Sequence, residues 1–303
     1  MIIKKFTERS NQAQGYTLVL LSTIAFASFG VWSELIGGTY GVFTQAWTRA
    51  LIISVILFAV GLVTKQLRRI DKKDVKWIAI YTAFSLFTVA PIYYAFIKLG
   101  IGTATILFYA AYMVASYMIG RIFFGEKVTA SKVIAMLLAI VGMIMVFGIE
   151  LAGASALALI LAIFNGIASG GEVSFTKKVS DKYSVLQLTL ITWLVIFVSH
   201  LVVASIVGEN LAPTQSVQSI VGILAYAVIA MLAFWLVVAG YKKIEAGIGG
   251  LIGTLEVPFA VLFGALFFGE HLVPQAIMGG FLIFIAAAIP DGVELIKKRQ
   301  LNR

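Results

Sequence analysis

Four ionisable side chains stand out within the long apolar stretches of the chain, and their chemistry is the first indication of function. They are Glu34, Arg49, Glu172 and Glu256. An ionisable group in a hydrocarbon environment is costly, so it persists where it meets a cavity, a partner or a ligand. Loss of water favours the neutral form of a carboxyl group. Carboxyl groups held in this way can bind a cationic group or exchange a proton.

Glu256 lies near the middle of its apolar stretch. It follows four glycines, Gly247, Gly249, Gly250 and Gly253. Glycines allow another backbone or a small ligand to approach closely. We therefore interpret Glu256 as a substrate contact or a proton-coupling group. The alternative is a protonated or hydrogen-bonded carboxyl that fixes helix packing.

Glu172 lies towards one end of another apolar stretch, beside Gly170 and Gly171. It could line the mouth of a cavity. It could equally pair with Lys177 or Lys178, which follow within two helical turns.

Glu34 lies near the end of one apolar stretch, and Arg49 lies in the first half of the next. A short linker joins the two stretches. Trp32 is close to Glu34, and Trp47 is close to Arg49. The two charges could form a structural ion pair. Alternatively, Arg49 could bind the carboxylate of a substrate, and Glu34 could bind a cation or exchange a proton.

Aromatic and amide groups at similar depth complete the predicted lining of a central cavity. Tyr109 and Tyr112 are three residues apart and so share a helical face. Asn165 is an amide in the middle of an apolar stretch. The full set of candidate cavity residues is Trp32, Tyr94, Tyr109, Tyr112, Asn165, Glu172, Trp235 and Glu256.

The composition identifies the elements that must position these groups. Hydrophobic residues make up 61% of the 303 residues, and charged residues make up only 12%. A soluble domain carries roughly twice that charged share. The chain has no cysteine and two histidines. We therefore expect an integral membrane protein with no disulfide, no bound metal and no cofactor.

Ten apolar runs are long enough to cross the hydrocarbon core as helices. They cover about residues 16–37, 42–63, 76–98, 101–123, 131–149, 152–175, 185–207, 217–240, 246–268 and 273–293. The predicted fold is an all-α integral membrane protein with ten transmembrane helices. Only Leu99-Gly100 separates the third run from the fourth.

The basic residues predict how these helices are oriented. If the N-terminus is cytoplasmic, all of the 23 lysines and arginines except Arg49 and Lys98 fall on the cytoplasmic side. Such asymmetry is typical of multi-pass proteins. We expect a cell-membrane protein with both termini in the cytoplasm, and the net charge of +9 reflects this orientation and not a nucleic-acid partner.

A repeated phrase divides the chain into halves. Phe123-Phe124-Gly125-Glu126 recurs as Phe267-Phe268-Gly269-Glu270, and at the same offset Tyr112 corresponds to Glu256. We predict two five-helix repeats, 1–149 and 150–303. An odd number of helices inverts the second repeat relative to the first. We expect each glutamate of the phrase to cap the next helix or to pair with a neighbour, Lys127 or His271.

These features resemble those of a known family. Two five-span halves, each with its fourth span ending in Phe-Phe-Gly-Glu, resemble the EamA type of the drug/metabolite transporter superfamily. Glu256-Val257-Pro258-Phe259-Ala260 is similar to that family's proline-containing segment, although Val114 replaces the proline in the first half. The resemblance implies ten spans and export of small metabolites, amino acids or drugs.

The predicted function is a secondary transporter that exports small organic metabolites such as amino acids. Transport would occur by alternating access at a central cavity between the repeats, with proton coupling as an option. The alternatives are export of cationic drugs or other organic cations, a channel, or an intramembrane enzyme.

The enzyme class is disfavoured because Ser199 and His200 are adjacent and should point to different helix faces. No nucleotide-binding P-loop occurs in the sequence. The expected partners are a small-molecule substrate and the lipid bilayer. We expect a monomer, with a dimer as the alternative.

Overall fold

The chain is helical throughout the part that the structure describes. The computed structural model describes residues 2–38, 40–149, 151–213 and 216–301, and for residues 2–10 and 291–301 it describes the backbone alone. Thirteen helices and no strand occur in these ranges. They are α1 (Ile2–Ala27), α2 (Phe29–Ile36), α3 (Val42–Val63), α4 (Val75–Ser85), α5 (Ala90–Leu99), α6 (Ile101–Phe124), α7 (Ala130–Phe147), α8 (Ala156–Thr176), α9 (Val185–Ile206), α10 (Val217–Tyr241), α11 (Ala246–Gly253), α12 (Glu256–Phe268) and α13 (Pro274–Leu301).

These helices match the ten predicted spans. Nine helical stretches among the described residues are long and apolar enough to cross a bilayer, and Pro274–Pro290 is a shorter apolar helix. Gly100 separates α5 from α6 with a φ of 75°, a conformation that favours glycine. The division between the third and fourth spans is therefore confirmed, as is the all-α membrane fold.

Three of the spans are interrupted, which the hydropathy pattern did not predict. The first span breaks at Ser28 between α1 and α2, the third at residues 86–89 between α4 and α5, and the ninth at Thr254-Leu255 between α11 and α12. The equivalent spans of the other half are the continuous helices α8, α10 and α6. The breaks therefore do not follow the sequence repeat.

The chain packs as two compact units, and each takes helices from both halves of the sequence. Unit 1 comprises Met1–Leu86 and Phe175–Lys243, and unit 2 comprises Phe87–Ser174 and Ile244–Arg303. The halves 1–149 and 150–303 remain a prediction about the repeat, because the packing units divide the chain differently.

Unit 1 is built on two helix pairs, in which α1 packs along α10 and α3 packs along α9. The core combines aliphatic and aromatic side chains, which include Ile53, Leu57, Leu190, Trp193, Ile196, Tyr226 and Ala227. The Ser22 hydroxyl donates a hydrogen bond to the Ala233 carbonyl at 2.8 Å and so fixes α1 against α10.

The start of α3 is capped by Glu209, whose carboxylate accepts hydrogen bonds from the backbone N–H groups of Phe43 and Thr44 at 3.2 and 2.7 Å. A carboxylate at this end of a helix also meets the positive end of the helix dipole.

Unit 2 depends on helices that approach at their glycines. In the contact of α7 with α13, a Cβ on Gly142 would lie 2.7 Å from the Gly279 carbonyl oxygen, and a Cβ on Gly279 would overlap the Gly142 carbonyl. In the contact of α8 with α6, a Cβ on Gly166 would overlap the Phe108 carbonyl, and one on Gly170 would lie 2.8 Å from the Tyr112 carbonyl. Small residues permit this backbone approach in membrane helices, where packing rather than the hydrophobic effect drives association.

An ion pair outside the spans ties α4 to the start of α9 in unit 1. Lys182 donates to the Asp74 carboxylate at 2.6 Å, and the Tyr183 hydroxyl donates to the same group at 3.0 Å. The hydrogen bond from Lys182 lowers the pKa of Asp74 below its ordinary value of 3.8. The same bond raises the pKa of Lys182. The Asp74 side chain is buried, while Lys182 is half exposed.

The Gly166 contact predicts a specific loss of stability. Gly166→Ala should lower the unfolding free energy by about 1–3 kcal/mol, because the added methyl must displace the Phe108 backbone. The measurement is the thermal unfolding midpoint of the purified protein in detergent, at one scan rate. Gly30→Ala is the matched control, since a Cβ at Gly30 has no neighbour within 4 Å. Equal midpoints for the two variants would contradict the close approach of α8 to α6.

The Asp74 ion pair predicts a pH-dependent loss of stability. Asp74→Asn should lower the unfolding midpoint at neutral pH, because Lys182 and Tyr183 lose their charged acceptor. A carboxylate with a lowered pKa stabilises the fold above its unfolded pKa and loses this effect as the pH falls through its folded pKa. The difference from wild type should therefore persist from about pH 5 to pH 9. It should close in acid below the ordinary value of 3.8.

Asp71→Asn is the control for this experiment, because the Asp71 side chain is exposed. A difference between Asp74→Asn and wild type that widened in acid would contradict the assignment.

Candidate functional site

The most distinctive polar contact inside unit 2 joins Glu256 to Tyr109. Glu256 is the first residue of α12, directly after the break in the ninth span. The Tyr109 hydroxyl, from α6, is hydrogen-bonded to its carboxyl group. Glu256 is half-buried, and Tyr109 is 6% exposed. The break thus places a carboxyl group at the N-terminal end of a helix, where the helix dipole offsets part of the cost of its charge.

Aromatic rings surround this carboxyl group. Tyr109 and Tyr112 meet edge to face with ring centroids 6.1 Å apart, and Phe108 stacks on Tyr112 at 6.0 Å. Gly253, at the end of α11, allows the close approach, because a Cβ there would lie 3.1 Å from the Tyr112 ring. The structure therefore brings together three predicted site residues, Tyr109, Tyr112 and Glu256, on facing elements of one unit.

The position of α11, and with it the break, is held by Glu126. The Glu126 carboxylate accepts hydrogen bonds from the backbone N–H groups of Ala246 and Gly247 at 2.9 and 3.5 Å. Glu126 therefore caps α11, a role that was not expected from the sequence. The left-handed φ of Gly125, 68°, ends α6 and turns the chain so that Glu126 reaches α11.

A second contact holds the same end of α11. Lys132, on α7, pairs with Glu245, the residue before α11, and also donates to the Lys127 carbonyl at 2.7 Å. These roles were missed from the sequence because the partners are far apart along the chain. For Glu126, the recurrence of Phe-Phe-Gly-Glu was the one feature of the sequence that could have indicated a structural role.

Asn165 has a structural partner. It is fully buried on α8, and its side-chain N–H donates to the Phe87 carbonyl at 2.6 Å. Phe87 lies in the break between α4 and α5, where regular helical partners are missing. Asn165 Oδ1 has no hydrogen-bond partner among the described residues. The Asn165 amide thus supplies a hydrogen bond to a carbonyl in the break, and its own oxygen is left without a described partner.

Glu172 is also buried, with 3% exposure, and its Oε1 has no hydrogen-bond partner among the described residues. It lies on α8 two turns beyond Asn165 and so shares its helical face. The same helix contacts Ser116 of α6 at Gly170, and the Ser116 hydroxyl is likewise without a described partner. The predicted cavity role of Glu172 remains a prediction.

The other predicted aromatic residues are Tyr94 in unit 2 and Trp32 and Trp235 in unit 1. Tyr94 is 37% exposed on α5, and Trp235 is 41% exposed on α10. Trp32, on α2, donates its indole N–H to Ser28 at 2.9 Å. Trp32 also lines a groove of about 440 Å³ with α10 residues Val221, Leu224, Ala225, Val228 and Ile229. That lining is apolar, so it offers no polar recognition of a ligand.

Glu34 and Arg49 do not pair among the described residues of unit 1. Glu34 is exposed, whereas the Arg49 guanidinium lies over the Tyr226 ring, with Cζ 3.7 Å from the ring centroid. Arg49 is 9% exposed, and its Nε has no hydrogen-bond partner among the described residues. Placing an arginine at the centre of a span costs about 2.5–3.5 kcal/mol on insertion scales. A cation–π contact away from water stabilises by about 2 kcal/mol, so the Tyr226 ring offsets part of the cost of burying Arg49.

Ser199 and His200 do contact each other, contrary to the expectation from their adjacency. Ser199 Oγ lies 3.0 Å from His200 Nδ1. The Ile196 carbonyl lies 2.9 Å from the same nitrogen, and a carbonyl can only accept, so Nδ1 carries the hydrogen. It therefore cannot take a proton from Ser199. Within the described residues there is also no cluster of three or more metal-binding side chains.

Comparison with known proteins agrees with this architecture. A solved crystal structure matches with a TM-score of 0.73, covering 96% of this chain and 99% of that chain at 15% identity. At that identity the likeness concerns the fold alone. No curated protein matches this chain. The model of the EamA-like transporter family matches twice, over residues 13–148 and 156–289. The chain therefore belongs to the EamA-like transporter family.

Proposed function

We propose that the protein is a secondary transporter that exports small organic metabolites, with amino acids as the preferred class. Membership of a transporter family supports the general activity. The observation that carries the specific proposal is the Glu256 carboxyl group, placed at a helix break and hydrogen-bonded to Tyr109. Broken helices with polar groups at their ends are the usual binding elements of secondary transporters.

The chemistry of this site favours a positively charged or zwitterionic group. Glu256 is the acidic residue, and Tyr109 and Tyr112 supply hydroxyl groups and ring faces beside it. An ammonium group would form a charge-assisted hydrogen bond with the carboxylate. It would also be attracted to the electron-rich faces of the tyrosines.

Glu256 also offers a route to proton coupling. A carboxyl group can either bind a cationic substrate or hold a proton, so the two ligands would compete for one site. Such competition exchanges protons for substrate without a second site. Since the sequence has no P-loop, an ion gradient is the more direct source of energy.

The transport proposal predicts that Glu256→Gln abolishes gradient-driven flux. The protein is reconstituted into liposomes, and uptake of labelled amino acids and organic cations is measured with and without a pH gradient. We expect saturable, stereoselective flux of at least one amino acid for wild type and a loss of about 30-fold or more for the variant. Tyr109→Phe should reduce the flux less, because it removes one hydrogen bond and leaves the charge.

Glu34→Gln is the matched control, because Glu34 is an exposed carboxyl group in another span. Loss of flux in Glu34→Gln with normal flux in Glu256→Gln would move the coupling role to Glu34. Flux of organic cations alone would favour the drug-export alternative. Flux that rises linearly with substrate would indicate a channel, and no flux above empty liposomes would contradict transport.

The distribution of basic residues predicts that both termini face the cytoplasm. The natural absence of cysteine allows single-cysteine labelling. In intact cells, Ala212→Cys should react with a membrane-impermeant maleimide, whereas Lys72→Cys should react only after lysis. Both positions are exposed. The opposite labelling pattern would contradict the proposed orientation.

A further inference from the structure

Arg49 has donors that nothing in the described part of unit 1 satisfies. Its guanidinium presents five N–H groups in a rigid fork. Nε is buried without a partner, and no hydrogen bond or ion pair links Arg49 to any described residue. Its described contact is the Tyr226 ring face, which attracts the positive charge but accepts no N–H in the plane of the fork.

The carboxylates of unit 1 are engaged or lie elsewhere. Glu209 accepts from the backbone at the start of α3. Asp74 is occupied by Lys182, and Asp181 lies 3.5 Å from Lys242. Glu34 and Asp71 are exposed and form no pair with Arg49. The unit therefore has a buried cation without a matching anion among its described side chains.

The surroundings of Arg49 hold it in place. Tyr226 packs edge to face against Phe29 at 4.7 Å and is itself buried, so the ring that supports the guanidinium has little freedom. One turn earlier on α3, Gln45 bonds Ser33 and the Tyr40 carbonyl and so does not compete for a ligand. Arg49 is the eighth residue of α3, roughly 10 Å along the helix from its start.

We propose that Arg49, stacked on Tyr226, is the recognition site for the carboxylate of a small organic solute. A carboxylate matches the planar fork and can accept two parallel N–H bonds. It supplies both the missing charge and the missing acceptors. The inference rests on the proposed transport function only in treating this solute as cargo.

The test compares amino acids with the amines that lack only the carboxylate. Binding of leucine and isoamylamine, and of phenylalanine and phenethylamine, is measured by calorimetry on the full chain in phosphatidylcholine nanodiscs. We expect Arg49→Gln to weaken binding of the amino acids by roughly 30-fold or more and binding of the amines by less than about twofold. Arg49→Lys should recover only part of the loss, because it restores the charge without the fork.

A second measurement uses the wild-type chain and so does not depend on folding of a variant. Phenylglyoxal modifies arginine, and the modified residues are mapped by mass spectrometry. Amino acids should protect Arg49 several-fold, and the matched amines should not. Arg121, which is exposed on α6, is the internal control and should be modified equally in every sample. Failure to modify Arg49 at all would contradict the proposal, because a ligand must reach the same group.

Three further outcomes are decisive. Equal loss of amines and amino acids in Arg49→Gln would assign Arg49 a structural role and overturn the proposal. Competition by phosphatidylglycerol added to the nanodiscs would identify a lipid headgroup as the ligand, which also overturns it. Protection of Arg49 by amino acids in a protein that shows no flux would support the site and refute the transport function instead.

Discussion

The structure depends on one constraint: inside a bilayer, each backbone N–H and C=O group needs a partner from the protein. A continuous helix meets this need by itself, but three spans of this chain are interrupted. Each interruption has a polar side chain beside it. Asn165 donates to the Phe87 carbonyl, Thr254 donates to the Leu251 carbonyl at 2.7 Å, and Ser28 donates to the Ala25 carbonyl at 2.7 Å. The polar residues that are conspicuous in the sequence are thus partly explained by the breaks that they stabilise.

This explanation separates the structural polar groups from the candidate functional ones. Asn165, Thr254 and Ser28 satisfy nearby carbonyls and carry no charge. Glu256 contacts Tyr109 but could be replaced by a neutral residue without exposing a backbone group, since the α12 backbone makes its own bonds to Thr254 and Leu255. An ionisable group that the fold does not require is the stronger candidate for ligand chemistry.

The spans could be predicted from the sequence because length and hydropathy are local properties. The end of α6 at Gly125 and the end of α12 at Gly269 were also visible, since the repeated phrase places a glycine where a left-handed φ is needed. Two of the breaks do have a local signal. Pro91, the second residue of α5, and Pro258, the third residue of α12, have no N–H to donate to the carbonyls of Phe87 and Thr254. The partner that replaces the missing donor at Phe87 was not visible, because the Asn165 amide comes from a distant helix. From the sequence, Tyr109 and Glu256 were expected only to lie at a similar depth in the membrane. Their hydrogen bond was not predicted, because the sequence does not say which helix faces which.

The repeated phrase has more influence on the site than its own chemistry suggests. Glu126 follows the glycine that ends α6, and its carboxylate anchors the first N–H groups of α11. Helix α11 is only eight residues long, so a fixed start leaves little freedom at its other end. That end is Gly253, which packs on Tyr112. Thr254 and Leu255 then turn the chain, and Glu256 follows. Within unit 2, the turn after α6 fixes the start of α11 through Glu126, and α6 itself packs on the end of α11 through Tyr112. The Tyr109 contact is a third point, at which α6 constrains the carboxyl group.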